Sequence, residues 1–208
     1  MRRKVSPGRP PKAEAEARRT HLLSVATAEF IANGFANANV ARIARVAGVS
    51  NKTIYARYPN KEALLLAIVA EIATTSRRLL VAEMAASDGG PEQVLLTFGL
   101  RIAKGWTSPE EVGLYRLILT EAHRFPVLAE ILDGQMEHLR RPLVDYLREQ
   151  IHRRVLAIPD LDAAVHHFGL LVYGEARERA VLGKTQSPAD IAAIARRGVR
   201  LFVAGYAK

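Results

Sequence analysis

Residues 48–65 read GVSNKTIYARYPNKEALL, and their interpretation decides the fold. A glycine opens the stretch and a serine follows two positions later. Three cations (Lys52, Arg57 and Lys61), two tyrosines and a proline then crowd into a chain that elsewhere reads as alanine- and leucine-rich helix. A core helix has no use for that chemistry, whereas a surface that grips an anion does. Ser50 is a good cap for a short helix over 51–58, and Pro59 ends it. Upstream, Asn39 is placed to cap a helix over 40–47, and Gly48-Val49-Ser50 is the tight turn between the two. Two short helices joined by a three-residue turn containing glycine make a helix-turn-helix.

Periodicity sorts the side chains of this unit. Val40, Ile43 and Ala44 face inward on the first helix, and Val49 and Ile54 anchor the second. Asn51, Lys52, Thr53, Tyr55 and Arg57 then project outward. An amide, two cations, a hydroxyl and a phenol suit base edges and phosphates. Tyr55, Tyr58 and Lys61 are placed for the DNA backbone, Lys61 at the start of a helix whose free amides favour phosphate.

The charge distribution agrees. The 208 residues carry a net charge of +9. Residues 1–60 hold 11 Lys/Arg against 3 Asp/Glu, and residues 61–208 hold 19 against 18. The excess at one end predicts a polyanionic partner for that end alone. Residues 1–12 form a basic arm broken by Pro7, Gly8, Pro10 and Pro11. Its Gly-Arg-Pro core resembles AT-hook peptides, so Arg9 is either a minor-groove reader or part of a solvated tail.

Almost every other segment has a helical period, and no alternating run predicts a strand. A first helix spans 13–33, with Leu23, Ala26, Phe30 and Ile31 as its buried stripe and Gly34 as its stop. Asn60 caps a long helix from Lys61 to about residue 86. Further helices fall at 91–105, 109–123, 127–155, 160–182 and 188–206, punctuated by Pro91, Pro109, Pro126, Pro159 and Pro188. The expectation is an all-α protein of about nine helices. The domains are an arm (1–12), a helix-turn-helix domain (13–62) and a helical domain (63–208).

The run GFANANVARIARVAGVSNKTIYARYPNKEALLLAIV, residues 34–69, resembles the DNA-binding domain of the TetR family of bacterial transcriptional regulators. The resemblance rests on Gly34-Phe35, Val40, Ile43-Ala44, Ala47-Gly48-Val49-Ser50, Thr53-Ile54-Tyr55, Tyr58 and Lys61-Glu62-Ala63-Leu64. Ala38 departs from the family's usual threonine, and Arg57 stands where histidine or tyrosine is common. With the resemblance, the candidate DNA-binding set is Arg9, Asn39, Val40, Ser50, Asn51, Lys52, Thr53, Tyr55, Arg57, Tyr58 and Lys61.

The resemblance implies that the last two helices pair two copies of the chain through a four-helix seam. Leu161, Val165, Phe168 and Val172 recur at helical spacing on one helix, and Ile191, Ile194, Gly198, Leu201 and Gly205 on the other; such stripes serve either a seam or ordinary core packing. The resemblance also implies an apolar or amphipathic effector. Trp106, Tyr115, Leu119, Phe125, Met136, Leu139, Leu143, Phe168 and Tyr173 are candidates to line its pocket, with Arg116 and Glu121 to orient a polar group, although aromatics at this spacing also build cores.

No catalytic constellation, nucleotide loop or metal-ligand spacing is present. None of His21, His123, His138, His152, His166 and His167 forms an HExxH pair, and the chain has no cysteine. The longest apolar run, residues 63–70, is too short to span a bilayer. The expectation is a cytoplasmic regulator, not an enzyme, that needs no cofactor. It is a homodimeric repressor released from a palindromic operator by a small molecule. Two other readings stay open: a low-specificity architectural DNA-binding protein, and a helical ligand-binding protein or enzyme whose basic end only solubilises it.

Overall fold

A computed structural model describes residues 12–207. Among them helix is the only regular structure, apart from an isolated bridge between Leu156 and Ala207. The elements are α1 (Lys12–Asn37), α2 (Val40–Ala47), α3 (Asn51–Arg57), α4 (Lys61–Ala85), α5 (Pro91–Trp106), α6 (Pro109–Glu121) and α7 (Val127–His152). A continuous α8 follows, built from Leu161–Gly169, a π-helical turn Leu170–Gly174, and Glu175–Val181; α9 (Pro188–Tyr206) closes the chain. The basic arm lies outside the described residues, apart from Lys12 at the start of α1.

The ends fall where capping chemistry puts them. The side chains of Asn39, Ser50, Asn60, Ser108, Asp160 and Ser187 each accept a first-turn backbone N–H, which satisfies donors that have no partner inside the helix. Gly34 leaves helical geometry at φ 74° and turns the chain after Asn33. Gly48 caps α2 in the left-handed region at φ 69°.

Contacts divide the chain into two compact units, residues 1–68 and 69–208. The division falls inside α4, not at its start, because Leu64, Leu65 and Ile68 are buried with the first three helices. In that unit Phe30 and Phe35 stack at 5.8 Å, joined by Leu23, Ala26, Ile43 and Ile54. Ile31, expected in the buried stripe, is 38% exposed.

The second unit centres on a chain of aromatic rings. Phe168 meets Phe98 at 5.6 Å and Phe202 at 5.1 Å, and Phe202 meets Tyr206 at 4.9 Å. Leu80, Leu95, Leu147 and Val172 complete this core. Helix α9 approaches the π-helical turn so closely that a Cβ on Gly198 would lie 2.1 Å from the carbonyl oxygen of Leu171.

That packing corrects the expected seam. Val165, Phe168, Val172, Ile194 and Gly198 all lie inside the subunit, and Leu161 and Ile191 pack half-buried against its core. Of the nine residues only Leu201 and Gly205 are exposed. The apolar stripe legible in the sequence is the one with which α8 and α9 face each other and α5.

Candidate nucleic-acid interface and effector cavity

Helix α3 rests on α2 through one fully buried side chain, Ile54, and the rest of its surface is free. Asn51, Lys52, Thr53, Tyr55 and Arg57 are all exposed, as is Ser50 at the cap. Ser50 Oγ accepts the Thr53 N–H at 3.1 Å and shares a hydrogen bond with Thr53 Oγ1 at 2.8 Å, so the Thr53 hydroxyl is partly committed to its own helix. The Arg57 guanidinium lies 5.8 Å from the centre of the Tyr58 ring. A short, capped helix with amide, cationic and phenolic side chains outward can enter a major groove and meet base edges and phosphates.

Four of the expected contacts also have structural roles. Asn39 is exposed, but its side chain caps α2 through the N–H groups of Ala41 and Arg42, at 2.9 and 3.2 Å. Val40 is buried and supports α2 from within. Tyr58 is 6% exposed, and its hydroxyl has no hydrogen-bond partner among the described residues; its place between Ile54 and Leu64 in the apolar pattern draws the ring inward. Lys61 donates from Nζ to the carbonyl oxygens of Phe35 and Ala36, at 2.8 and 2.7 Å, and lies 5.2 Å from the Phe35 ring centre. It fastens the end of α1 to the start of α4.

The expectations missed a clamp that orients the unit. Arg42 donates from Nε and Nη2 to the two oxygens of Glu29, at 2.7 and 2.6 Å, and the Asn39 N–H adds a bond of 2.9 Å to the same carboxylate. The Arg42 hydrogen bonds are the largest influence on Glu29; with Asn39 they hold its carboxyl below the ordinary value against an opposing effect of burial. The signal was present in the composition, since Glu29 is the only acid between residues 17 and 60.

In the second unit, a small cavity of about 40 Å³ opens among α4, α5, α6 and α7. Four expected pocket residues line it: Trp106, Tyr115, Met136 and Leu139. The others do not. Leu143, Phe168 and Tyr173 belong to the core, and Leu119 is 54% exposed. Arg116 donates to the Val181 and Ala180 carbonyls, both at 2.8 Å, and so ties α6 to the end of α8. Glu121 and Phe125, at the end of α6 and just beyond it, are half-buried away from the lining. The acid that does reach the cavity is Glu111, which the sequence reading passed over. Burial, and then the neighbouring Glu110, push its carboxyl up to about 7.

A three-helix unit whose third helix is capped and faces outward defines a helix-turn-helix DNA-binding protein. Residues 22–68 match the family described as bacterial regulatory proteins, tetR family, and residues 93–208 match the AefR-like transcriptional repressor, C-terminal domain. The chain belongs to the TetR family of transcriptional regulators. It is 30% identical over 137 residues to an uncharacterized HTH-type transcriptional regulator of Mycobacterium tuberculosis (strain H37Rv), over 64% of this chain and 62% of the relative. The chain thus spans less than two thirds of that curated relative. A TetR-family regulator from Mesorhizobium loti shares the fold, with a TM-score of 0.81 at 22% identity, over 93% of this chain and 98% of the other. The flavonoid-responsive regulator FrrA gives a TM-score of 0.71 at 27% identity, over 92% and 98%. Among the described residues no helix is long and apolar enough to cross a membrane.

Proposed function

We propose that this regulator is a repressor that binds a palindromic operator as a homodimer and is released by a small molecule. The observation that carries this reading is the exposed set Asn51, Lys52, Thr53, Tyr55 and Arg57 on a helix anchored by Ile54. The reading assigns operator binding to residues 13–62, with Arg9 of the arm as an added minor-groove contact. Effector binding and dimerisation fall to residues 63–208.

Family membership supports pairing, and the surface suggests where it occurs. Leu170 and Leu171 in the π-helical turn and Leu201 on α9 are 53%, 40% and 58% exposed. Apolar side chains of that size on the outer faces of α8 and α9 suit a seam between two copies. The likeness to a flavonoid-responsive regulator supports an effector, and the cavity beside α4 offers its site. Because α4 also carries Lys61 and the last buried residues of the first unit, an effector pressing on Val69 and Ile72 would shift the helix on which the reading head is built. Coupling of this kind typically amounts to about 1–3 kcal/mol.

Selection of bound sequences from random DNA, followed by footprinting, tests the reading. A discrete palindrome with half-sites one helical turn apart is the expected result. Even coverage without a palindrome would favour a low-specificity binder.

A further inference from the structure

We propose that the cavity among α4, α5, α6 and α7 takes an apolar ligand carrying one protonated amine, and that Glu111 receives the ammonium. The proposal rests on the reading of this cavity as the effector site and adds the chemistry of the effector.

The argument begins with two helix starts that have the same sequence pattern. Helix α9 opens with Ser187-Pro-Ala-Asp190, and α6 opens with Ser108-Pro-Glu-Glu111. At α9 the capping box closes: Asp190 accepts from the Ser187 N–H at 2.9 Å and from its hydroxyl at 2.7 Å, while Ser187 Oγ accepts the Asp190 N–H at 3.1 Å. At α6 only half the box forms. Ser108 Oγ accepts the Glu111 N–H at 3.3 Å, but the Ser108 N–H goes to the Gly105 carbonyl at 2.8 Å. The Glu111 carboxyl, relieved of its capping role, turns to the cavity. It rests against Gly105, where a Cβ would stand 2.7 and 2.8 Å from its two oxygens. Glycine at 105 is what gives the carboxyl its seat.

There the carboxyl has no hydrogen bond or ion pair to any described residue. The acidic neighbour Glu110 only adds to its discomfort. The surroundings are Trp106 and Tyr115, edge-packed at 4.9 Å, with Ile118 and Met136; Gln135 is the one amide in the lining. Arg177 is committed to the two rings, 5.3 and 5.6 Å from their centres. A carboxylate left unpaired among apolar groups is costly, and a ligand that brings the opposite charge recovers that cost. An anionic ligand would add to it, and a neutral alcohol offers a hydrogen bond without the charge. Aromatic walls also favour a cation.

At about 40 Å³ the cavity has room for no more than a few waters, so a ligand must widen it. The wall on α7 suits that movement. Three of its four lining residues, Gln135, Met136 and Leu139, lie between Gly134 and Pro142, with Leu132 just before Gly134, and Pro142 supplies no N–H to the helix ladder. Methionine adapts readily to new shapes.

Trp106 is the only tryptophan of the chain, so its fluorescence reports the cavity alone. The test titrates 4-phenylbutylamine, 4-phenylbutanol and 4-phenylbutyrate into the full chain at pH 8. The amine is expected to bind at least tenfold more tightly than the alcohol, with the acid weakest. Glu111→Gln should bring amine and alcohol within twofold of each other and leave the alcohol unchanged, with a thermal melt confirming its fold. Equal binding of amine and alcohol to the wild type, which needs no variant, would overturn the proposal while leaving the cavity a ligand site. A preference that survives Glu111→Gln would do the same. If none of the three perturbs Trp106 up to millimolar concentration, the effector-site reading falls as well.

Discussion

Arg42 holds Glu29 in a two-pronged grip, at 2.7 and 2.6 Å, across the junction of α1 and α2. Glu29 is buried, and the same carboxylate takes the Asn39 N–H. The cap of α2 and its counter-charge are therefore one device. Glu29→Ala should lower the urea midpoint by an amount corresponding to roughly 1–3 kcal/mol, because hydrogen bonds to a charged group are lost. The pair also sets an acid dependence. The folded pKa of Glu29 lies below the unfolded one, so its stabilisation is complete above the ordinary value of 4.5 and is lost as pH falls below it. Glu29→Gln should be less stable than wild type at pH 7 and converge towards it at pH 3. A gap that stays constant over that range would show that the ion pair contributes little.

The interface makes a contrast between neighbouring residues. Lys52→Ala and Asn51→Ala should each weaken operator binding by roughly 1–3 kcal/mol and leave the melting temperature nearly unchanged. Tyr58→Phe should do the opposite: operator affinity holds, and stability stays level or rises by up to about 1 kcal/mol as an unpartnered buried hydroxyl is removed. Lys61→Ala should lower the melting temperature, because two carbonyls at the end of α1 lose their donor. Parallel melts and binding titrations on the four variants decide the matter. A Tyr58→Phe variant with normal stability but lost DNA affinity would return that hydroxyl to the interface.

The helix ends were legible because Asn, Ser and Asp caps and Pro and Gly breakers act over three or four residues, the range within which sequence neighbours are spatial neighbours. The outward set on α3 was legible for the same reason: one apolar residue, Ile54, fixes a short helix's orientation. What was not legible was long-range. Nothing in the neighbourhood of Lys61 announces its bonds to the carbonyls of Phe35 and Ala36, 26 and 25 residues earlier. The stripe through Phe168 and Val172 looked like a seam because a helical period shows that a face is buried, not what buries it. The π-helical turn left no mark at all. Its consequence, Leu170 and Leu171 facing outward next to buried Val172, breaks the period a reader would follow.

Dimer disruption follows from that shift. If two copies pair as proposed, Leu171→Asp with Leu201→Glu should give a folded monomer, with circular dichroism retained and the mass in solution halved. Val172→Asp should unfold the subunit instead, since it buries a charge beside Phe168 and Gly99 in the apolar core. The folded monomer should also lose the gain from joining two half-sites, which can exceed a hundredfold in operator affinity. A Leu171/Leu201 double variant that remains dimeric would move the seam elsewhere.

The last prediction sets Glu111 against its own stability. Its folded pKa is about 7, above the ordinary 4.5, because burial and Glu110 both oppose ionisation. The folded state therefore binds more protons than the unfolded state between those values, and stability is lost as pH rises through that window. At pH 8 the loss is at most about 3 kcal/mol, less whatever solvent recovers at a half-buried carboxyl. Glu111→Gln stays neutral throughout. It should match wild type near pH 4.5 and become progressively more stable than wild type up to about pH 8, with an unchanged denaturant slope. Among the described residues the charged group that bears on this carboxyl is Glu110 on the same helix, while Arg177 lies 5.3 and 5.6 Å from the Trp106 and Tyr115 ring centres. Glu29 titrates lower and contributes equally to both proteins, so it cancels in the comparison. Urea midpoints for the pair at pH 5, 6, 7 and 8 supply the measurement. A difference that does not grow with pH would mean that the carboxyl already has a partner, and the cavity would then have no charge for a ligand to answer.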